Sequence, residues 1–139
     1  MNKDTDSLVN EIRKSASINE FIAENTMEFD PKMFVITLNS FLNAKKVNKQ
    51  TLIRESYLNP SYVYEILSGK KKPSRDTVIK LSLALSLTLM ETGRLLKLSG
   101  FGDLYPRIER DAIFIFCIEN QKDLHGTNEL LNSMGEVVL

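Results

Sequence analysis

An all-α fold is predicted by three features of the 139-residue chain. Apolar residues recur at helical spacing over much of its length. Helix start signals punctuate it at intervals. Between residues 31 and 100 no stretch alternates apolar and polar side chains in the way a half-buried strand does.

The elements follow in order. Leu8, Ile12, Ile18, Phe21 and Ile22 predict two short N-terminal helices, with Ser17 and Glu20 spaced as a capping box. Asp30 followed by Pro31 reads as an N-cap with proline at the first helical position. The helix it opens spans 31–45, and Phe34, Leu38, Phe41 and Leu42 lie on one face of it. Asn48 caps a second helix of about two turns, 49–56, whose apolar residues are Leu52 and Ile53. Asn59-Pro60 starts a third, which carries Val63, Ile66 and Leu67 and ends at Gly69. Val78, Leu81 and Leu85 form a stripe flanked by Ile79, Leu83 and Leu87. A helix that apolar is central and covered on two sides. Thr88 with Glu91 is a second capping box, opening a fifth helix with Leu89, Leu95, Leu96 and Leu98, which stops at Gly100.

Beyond it, Pro106 is expected to open a helix running to about Asn120. The block 112–118 has no polar residue, so it is buried on both sides or lies in a subunit interface. Its Ile-Phe-Ile-Phe run also suits a buried strand, and the charged residues 107–111 favour helix. A last short helix is expected over 127–134. The chain thus divides into an N-terminal helical extension (1–30), a central domain (31–100) and a C-terminal helical extension (101–139) that is a candidate for dimerisation.

An apolar content of 42% and a charged content of 26% fit a soluble globular protein and exclude a disordered one. The start lacks a signal-peptide core, and no apolar run is long enough to span a bilayer, so the expectation is a cytoplasmic protein with no membrane partner. Cys117 is the one cysteine, which excludes an internal disulfide. With His125 the one histidine, no metal set assembles at normal spacing. A Cys-His nucleophile pair needs an exposed Cys117, yet this residue sits inside the apolar block. Gly100 and Gly102 lack a phosphate-loop context. Glu109, Asp111, Glu119 and Asp123 read as surface acids, and Arg110-Asp111 as a surface ion pair of small worth. No enzyme, metal or cofactor is therefore expected.

Net charge is zero over the whole chain, but its distribution is uneven. Residues 1–31 hold three Lys/Arg and seven Asp/Glu, a net of −4. Residues 32–100 hold twelve and four, a net of +8, and residues 101–139 hold three and seven, a net of −4. A basic centre between acidic flanks points to one face for a polyanion. A solvated, lysine-rich middle is the plainer alternative.

A longer first helix followed by two short helices joined by a tight turn is the helix-turn-helix layout. The stretch 59–87, NPSYVYEILSGKKKPSRDTVIKLSLALSL, resembles the lambda-repressor/Cro-like (XRE-type) helix-turn-helix family. Val63, Ile66, Gly69, Lys70, Lys71, Lys72, Pro73 and Ser74 match the family's pattern, and Leu52-Ile53 resembles its Leu-Ala in the second helix. The resemblance covers residues 33–99. It implies a five-helix domain with an exposed third helix, duplex DNA as partner, a role in transcription regulation and a homodimer. Two departures concern the turn. Lys49 stands where the family often has glutamine, with Gln50 one place later. Ser56-Tyr57 replaces the family's Leu-Gly, and a bulky residue there makes a left-handed conformation costlier.

With Val63, Ile66 and Leu67 facing the core, Ser61, Glu65 and Ser68 point away and Tyr62 and Tyr64 lie on the flanks. These five are the base-reading candidates. None of them is an Arg, Lys, Gln or Asn able to make bidentate purine contacts, so readout is modest and shape-based or is shared with Lys70–Lys72. Packing at the rim of the core is the competing role for Tyr62 and Tyr64. Lys45, Lys46, Asn48, Lys49 and Gln50 at the first helix junction are phosphate candidates, as are Lys70, Lys71, Lys72 and Arg75 after the third helix. Ile113, Phe114, Phe116 and Cys117 are the dimer-interface candidates. The alternative function is a protein-interaction module, or an antitoxin-like subunit, that has the fold without reading DNA. The bare outward face and the acidic flanks suit such a protein partner.

Overall fold

The computed structural model describes residues 28–139. The expected helices before residue 28, with the Ser17–Glu20 capping box, lie outside the described residues. Among the described residues seven α-helices form, joined by short turns. They are α1 (Pro31–Lys45), α2 (Lys49–Ser56), α3 (Pro60–Leu67), α4 (Arg75–Ala84), α5 (Leu89–Leu98), α6 (Glu109–Glu119) and α7 (Leu124–Ser133). The only extended pairing among them is a single antiparallel bridge between Phe29 and Ser99.

Capping explains where most of these helices begin. The Asp30 carboxylate accepts from the Met33 amide at 3.0 Å, and the Asn48 side chain accepts from the Thr51 amide at 2.8 Å. Asn59 accepts from Ser61 N at 2.9 Å, directly before Pro60. Thr88 and Glu91 form the reciprocal capping box, at 2.9 and 3.1 Å. Ser74 caps α4 through Thr77 N, in addition to the starts expected from sequence.

Two starts differ from expectation. Pro106 does not open α6. It sits in a turn closed by Ile108 N donating to the Tyr105 carbonyl at 3.0 Å, and the helix begins at Glu109. The last helix begins earlier than 127, because Asp123 accepts from Gly126 N at 2.8 Å and caps it at Leu124. The block 112–118 is helical, so the strand alternative falls.

Helix α4 is the centre of the packing. It lies against α2, α5 and α7, while α5 also meets α1 and α6, and α6 packs on α7. Leu38, Leu52, Val63, Val78, Ile79, Leu81 and Leu95 are completely buried. The same apolar cluster continues without a break into Phe114, Cys117, Leu124 and Leu131. The C-terminal helices therefore complete the core instead of standing apart from it. At about 25 cal/mol per Å² of apolar surface removed from water, such burial is the main stabilising contribution.

Two arginine forks tie α4 to α6. Arg75 donates from both terminal nitrogens to the Asp111 carboxylate, at 2.9 and 2.6 Å, and the same carboxylate accepts from Tyr105 N at 2.9 Å. Arg110 grips Asp76 in the same bidentate manner, at 2.9 and 3.0 Å. The Arg110 guanidinium holds the Asp76 carboxyl below its ordinary range, against the opposing effect of burial. The surface reading of Asp111 is thus corrected: it is 2% exposed, and its partner is Arg75, not the adjacent Arg110. Among the described residues no helix is long and apolar enough to cross a membrane.

Tyr57, in the turn between α2 and α3, is one of four non-glycine residues with positive φ among the described residues, with Lys46, Ser86 and Gln121. Tyr57 has φ 56° and ψ 22°, in the left-handed region that disfavours side chains. The residue is 63% exposed, so packing does little to offset this strain. Tyr57→Gly relieves it, and the gain is partly cancelled by the greater freedom of glycine in the unfolded chain. The expected net effect is a stabilisation of about 0.5–1 kcal/mol, read as a higher urea midpoint at unchanged m-value.

Candidate nucleic-acid interface

Helix α3 is two turns long and is amphipathic at helical spacing. Val63, Ile66 and Leu67 are buried, and Ser61, Tyr64 and Ser68 are exposed. Tyr62 and Glu65 are half-buried. The Tyr62 hydroxyl donates to Thr77 Oγ1 at 3.4 Å, which ties that ring to the start of α4. Tyr62 therefore braces the fold, and the outward set narrows to Ser61, Tyr64, Glu65 and Ser68.

Beside α3 the first turn of α2 and the loop after α3 come together. Lys49, Tyr64, Glu65, Leu67, Ser68 and Lys70 line one open groove of about 370 Å³. Three base-reading candidates and two phosphate candidates thus share a single surface. Lys49 Nζ sits 5.9 Å from the centre of the Tyr64 ring, a cation–π approach that orients both groups. Lys71 Nζ pairs with Glu65 at 3.3 Å across the same edge. The Ser68 hydroxyl donates to the Glu65 carbonyl at 3.0 Å, so its oxygen keeps lone pairs facing outward.

The basic residues separate into two groups. Lys46, Lys49, Lys70, Lys71 and Lys72 are exposed, as is Gln50. Lys72 rests its ammonium 5.1 Å from the centre of the Phe101 ring, where the charge still reaches solvent. Lys45 turns the other way and pairs with Glu91 at 3.2 Å. Burial raises the Glu91 carboxyl, but the Thr88 amide and Lys45 together bring it below its ordinary value. Arg75 is committed to Asp111. Arg75 is therefore a structural tie and not a free phosphate contact, while Lys45 is drawn towards α5 by its ion pair. The Lys45 pairing had a local cue in the acidic first turn of α5. The Arg75 fork had none, since Asp111 lies 36 residues away. The Asn48 side chain occupies the Thr51 amide, so its role is to cap α2.

The dimer-interface candidates are corrected in the same way. Ile113, Phe114 and Cys117 are 4%, 0% and 0% exposed and belong to the core of this chain. Burial pushes the Cys117 thiol above its ordinary value, against a lowering hydrogen bond with Thr127, so it is an inert packing residue. Phe116 alone of the four points outward, at 51% exposure. The apolar run concealed this, because a helix of eleven residues turns one side away from any core it meets.

Among the described residues no group of three or more His, Cys, Asp or Glu is placed to hold a metal ion. His125 bonds Glu129 at 2.9 Å on the surface of α7. No protein-family model, curated protein or solved structure matches this chain.

Proposed function

We propose that the chain is a transcriptional regulator that binds double-stranded DNA. In this reading α1 to α5 form a lambda-repressor/Cro-like helix-turn-helix domain, with α2 across the backbone and α3 in the major groove. The observation that carries it is the shared groove: Lys49 and Lys70 flank the surface on which Tyr64, Glu65 and Ser68 face outward. Lys46, Lys49 and Lys70–Lys72 neutralise phosphates and set the register. Ser68 bonds a base edge, Glu65 accepts from a cytosine amino group, and Tyr64 covers a thymine methyl. No outward residue of α3 makes a bidentate purine contact, so specificity is modest and leans on duplex shape. A homodimer would present two such helices one DNA turn apart, about 34 Å.

The test is fluorescence anisotropy with a mixed-sequence duplex of roughly 30 base pairs between 50 and 300 mM salt. Wild-type binding is expected to weaken linearly in log–log form. Lys70→Ala/Lys71→Ala/Lys72→Ala is expected to make that slope shallower by about 2 to 3, one increment for each phosphate no longer neutralised. Folded wild-type protein that fails to bind at 50 mM would sink the DNA reading.

The ion pair between Glu65 and Lys71 favours a second reading, a protein-interaction module or antitoxin-like subunit. A carboxylate at the centre of the basic face repels phosphate and suits a partner protein with its own cations. This reading gains if DNA binding is absent and a protein partner is captured through the same face.

A further inference from the structure

We propose that the acidic N-terminal segment of this chain, residues 17–27, docks on the groove beside α3 and competes there with any polyanion. The described chain enters that face from one edge. At Gly69, which follows α3, Pro31 Cβ and Val35 Cγ2 lie 4.0 and 3.6 Å from the point where a Cβ would stand. At Gly100 the Glu28 carbonyl carbon and Lys72 Nζ lie 3.4 and 3.6 Å from the equivalent point. The loop that carries Lys70–Lys72 thus begins against the start of α1 and ends beside the Glu28 backbone. Whatever precedes residue 28 departs from the rim of the basic face.

The sequence of that segment complements the surface it departs from. Between residues 15 and 30 stand Glu20, Glu24, Glu28 and Asp30, and no Lys or Arg. Three of these acids recur at every fourth residue, with Phe21 and Ile22 between the first two. The groove of about 370 Å³ supplies the counterpart: cations in Lys49 and Lys70, and apolar surface in Tyr64 and Leu67. Glu65, the acid in its lining, is already paired with Lys71 at 3.3 Å. With Glu28 beside Lys72, Glu24 meets Lys70 and Glu20 meets Lys49, while Phe21 and Ile22 enter against Tyr64 and Leu67. The seven residues from 28 back to 21 reach up to about 25 Å when extended, enough to cross from the loop to the groove. The tether also holds the segment at an effective concentration on the order of millimolar, so a contact too weak for separate molecules is populated. An acidic segment of another protein lacks that advantage. The docking stands on charge and position alone; its consequence, competition with duplex DNA, rests on the DNA-binding reading.

The chain has no tryptophan, so Phe21→Trp in the full chain gives a single fluorescent reporter on the segment. At roughly 50 mM salt its emission is expected to be blue-shifted, as for an enclosed indole. Adding Lys49→Glu/Lys70→Glu is expected to return it to the emission of an exposed indole with unchanged circular dichroism. Adding Glu20→Lys/Glu24→Lys to that variant is expected to restore the blue shift. An exposed indole at the outset overturns the docking, and so does a blue shift that the lysine reversals leave in place. Failure of the charge swap to restore it overturns the pairing of Glu20 and Glu24 with these lysines. Competition is read separately by anisotropy with the 30-base-pair duplex. A segment docked about nine-tenths of the time lowers affinity about tenfold, so Glu20→Gln/Glu24→Gln is expected to bind about tenfold tighter. Asp4→Asn/Asp6→Asn makes the same charge change outside the segment and is expected to alter affinity less than about threefold. Equal gains for the two variants overturn the competition. Duplex binding by none of the variants defeats the DNA-binding reading instead, and the fluorescence alone then decides the docking.

Discussion

Phe114→Ala is expected to destabilise the chain by about 4 kcal/mol. Phe114 is 0% exposed and is among the largest fully buried side chains. Its ring joins α6 to the same apolar cluster that holds Leu38, Leu52 and Val78. Truncation removes the transfer free energy of the ring and leaves a cavity that the rigid packing of α4 and α5 cannot close. The Arg110 guanidinium, 5.0 Å from the centre of that ring, loses its cation–π partner as well. Urea denaturation followed by circular dichroism measures the effect. A single cooperative transition with a much lower midpoint is the expected result. A loss below about 1 kcal/mol, or a separate early transition, would mean that α6 and α7 do not share a core with α1 to α5.

Asp111→Ala is expected to cost about 3 kcal/mol, towards the lower end of the range for breaking a buried ion pair. The Asp111 side chain is 3% exposed and satisfies both the Arg75 fork and the Tyr105 amide. Its removal leaves a guanidinium and a backbone donor without partners. The Arg75 side chain is 32% exposed, so water recovers part of the loss, which keeps the figure from the upper end. Arg75→Ala/Asp111→Ala should cost less than the sum of the two single changes, because the second removes the charge that the first left unpaired. Additive losses would show that the fork contributes nothing of its own. Under the proposed DNA-binding function, Arg75→Ala should leave the salt slope unaltered, which separates its structural tie from the phosphate contacts proposed for Lys70–Lys72.

What was legible in the sequence was local. Asp30-Pro31, Asn48, Asn59-Pro60 and the Thr88–Glu91 box each bond an amide two or three positions away, and the helices begin where these residues stand. The all-α character followed from the same signals. Pro106 misled because its fixed φ suits a turn as well as a helix start, and the Tyr105–Ile108 hydrogen bond selects the turn. The burial of Asp111 was not legible, because it depends on Arg75 far back in the chain. Nor was the direction of Phe116. An unbroken apolar run hides its own periodicity, and only the packing partners show which side turns out. At the candidate interface the outward residues of α3 followed from helical geometry. The diversion of Lys45 to Glu91 and of Tyr62 to Thr77 required tertiary contacts.

The two arginine forks also decide how the chain answers to its medium. They are bidentate and partly buried, with Asp111 almost completely enclosed, so dissolved ions screen them weakly. The lysines at the groove face open solvent and lie within reach of any counterion atmosphere. Raising the ionic strength therefore acts on the two populations of charge unequally: it weakens what the outer face can attract while the architecture beneath keeps its ties. Salt is thus expected to act on whatever the outer face binds before it acts on the fold.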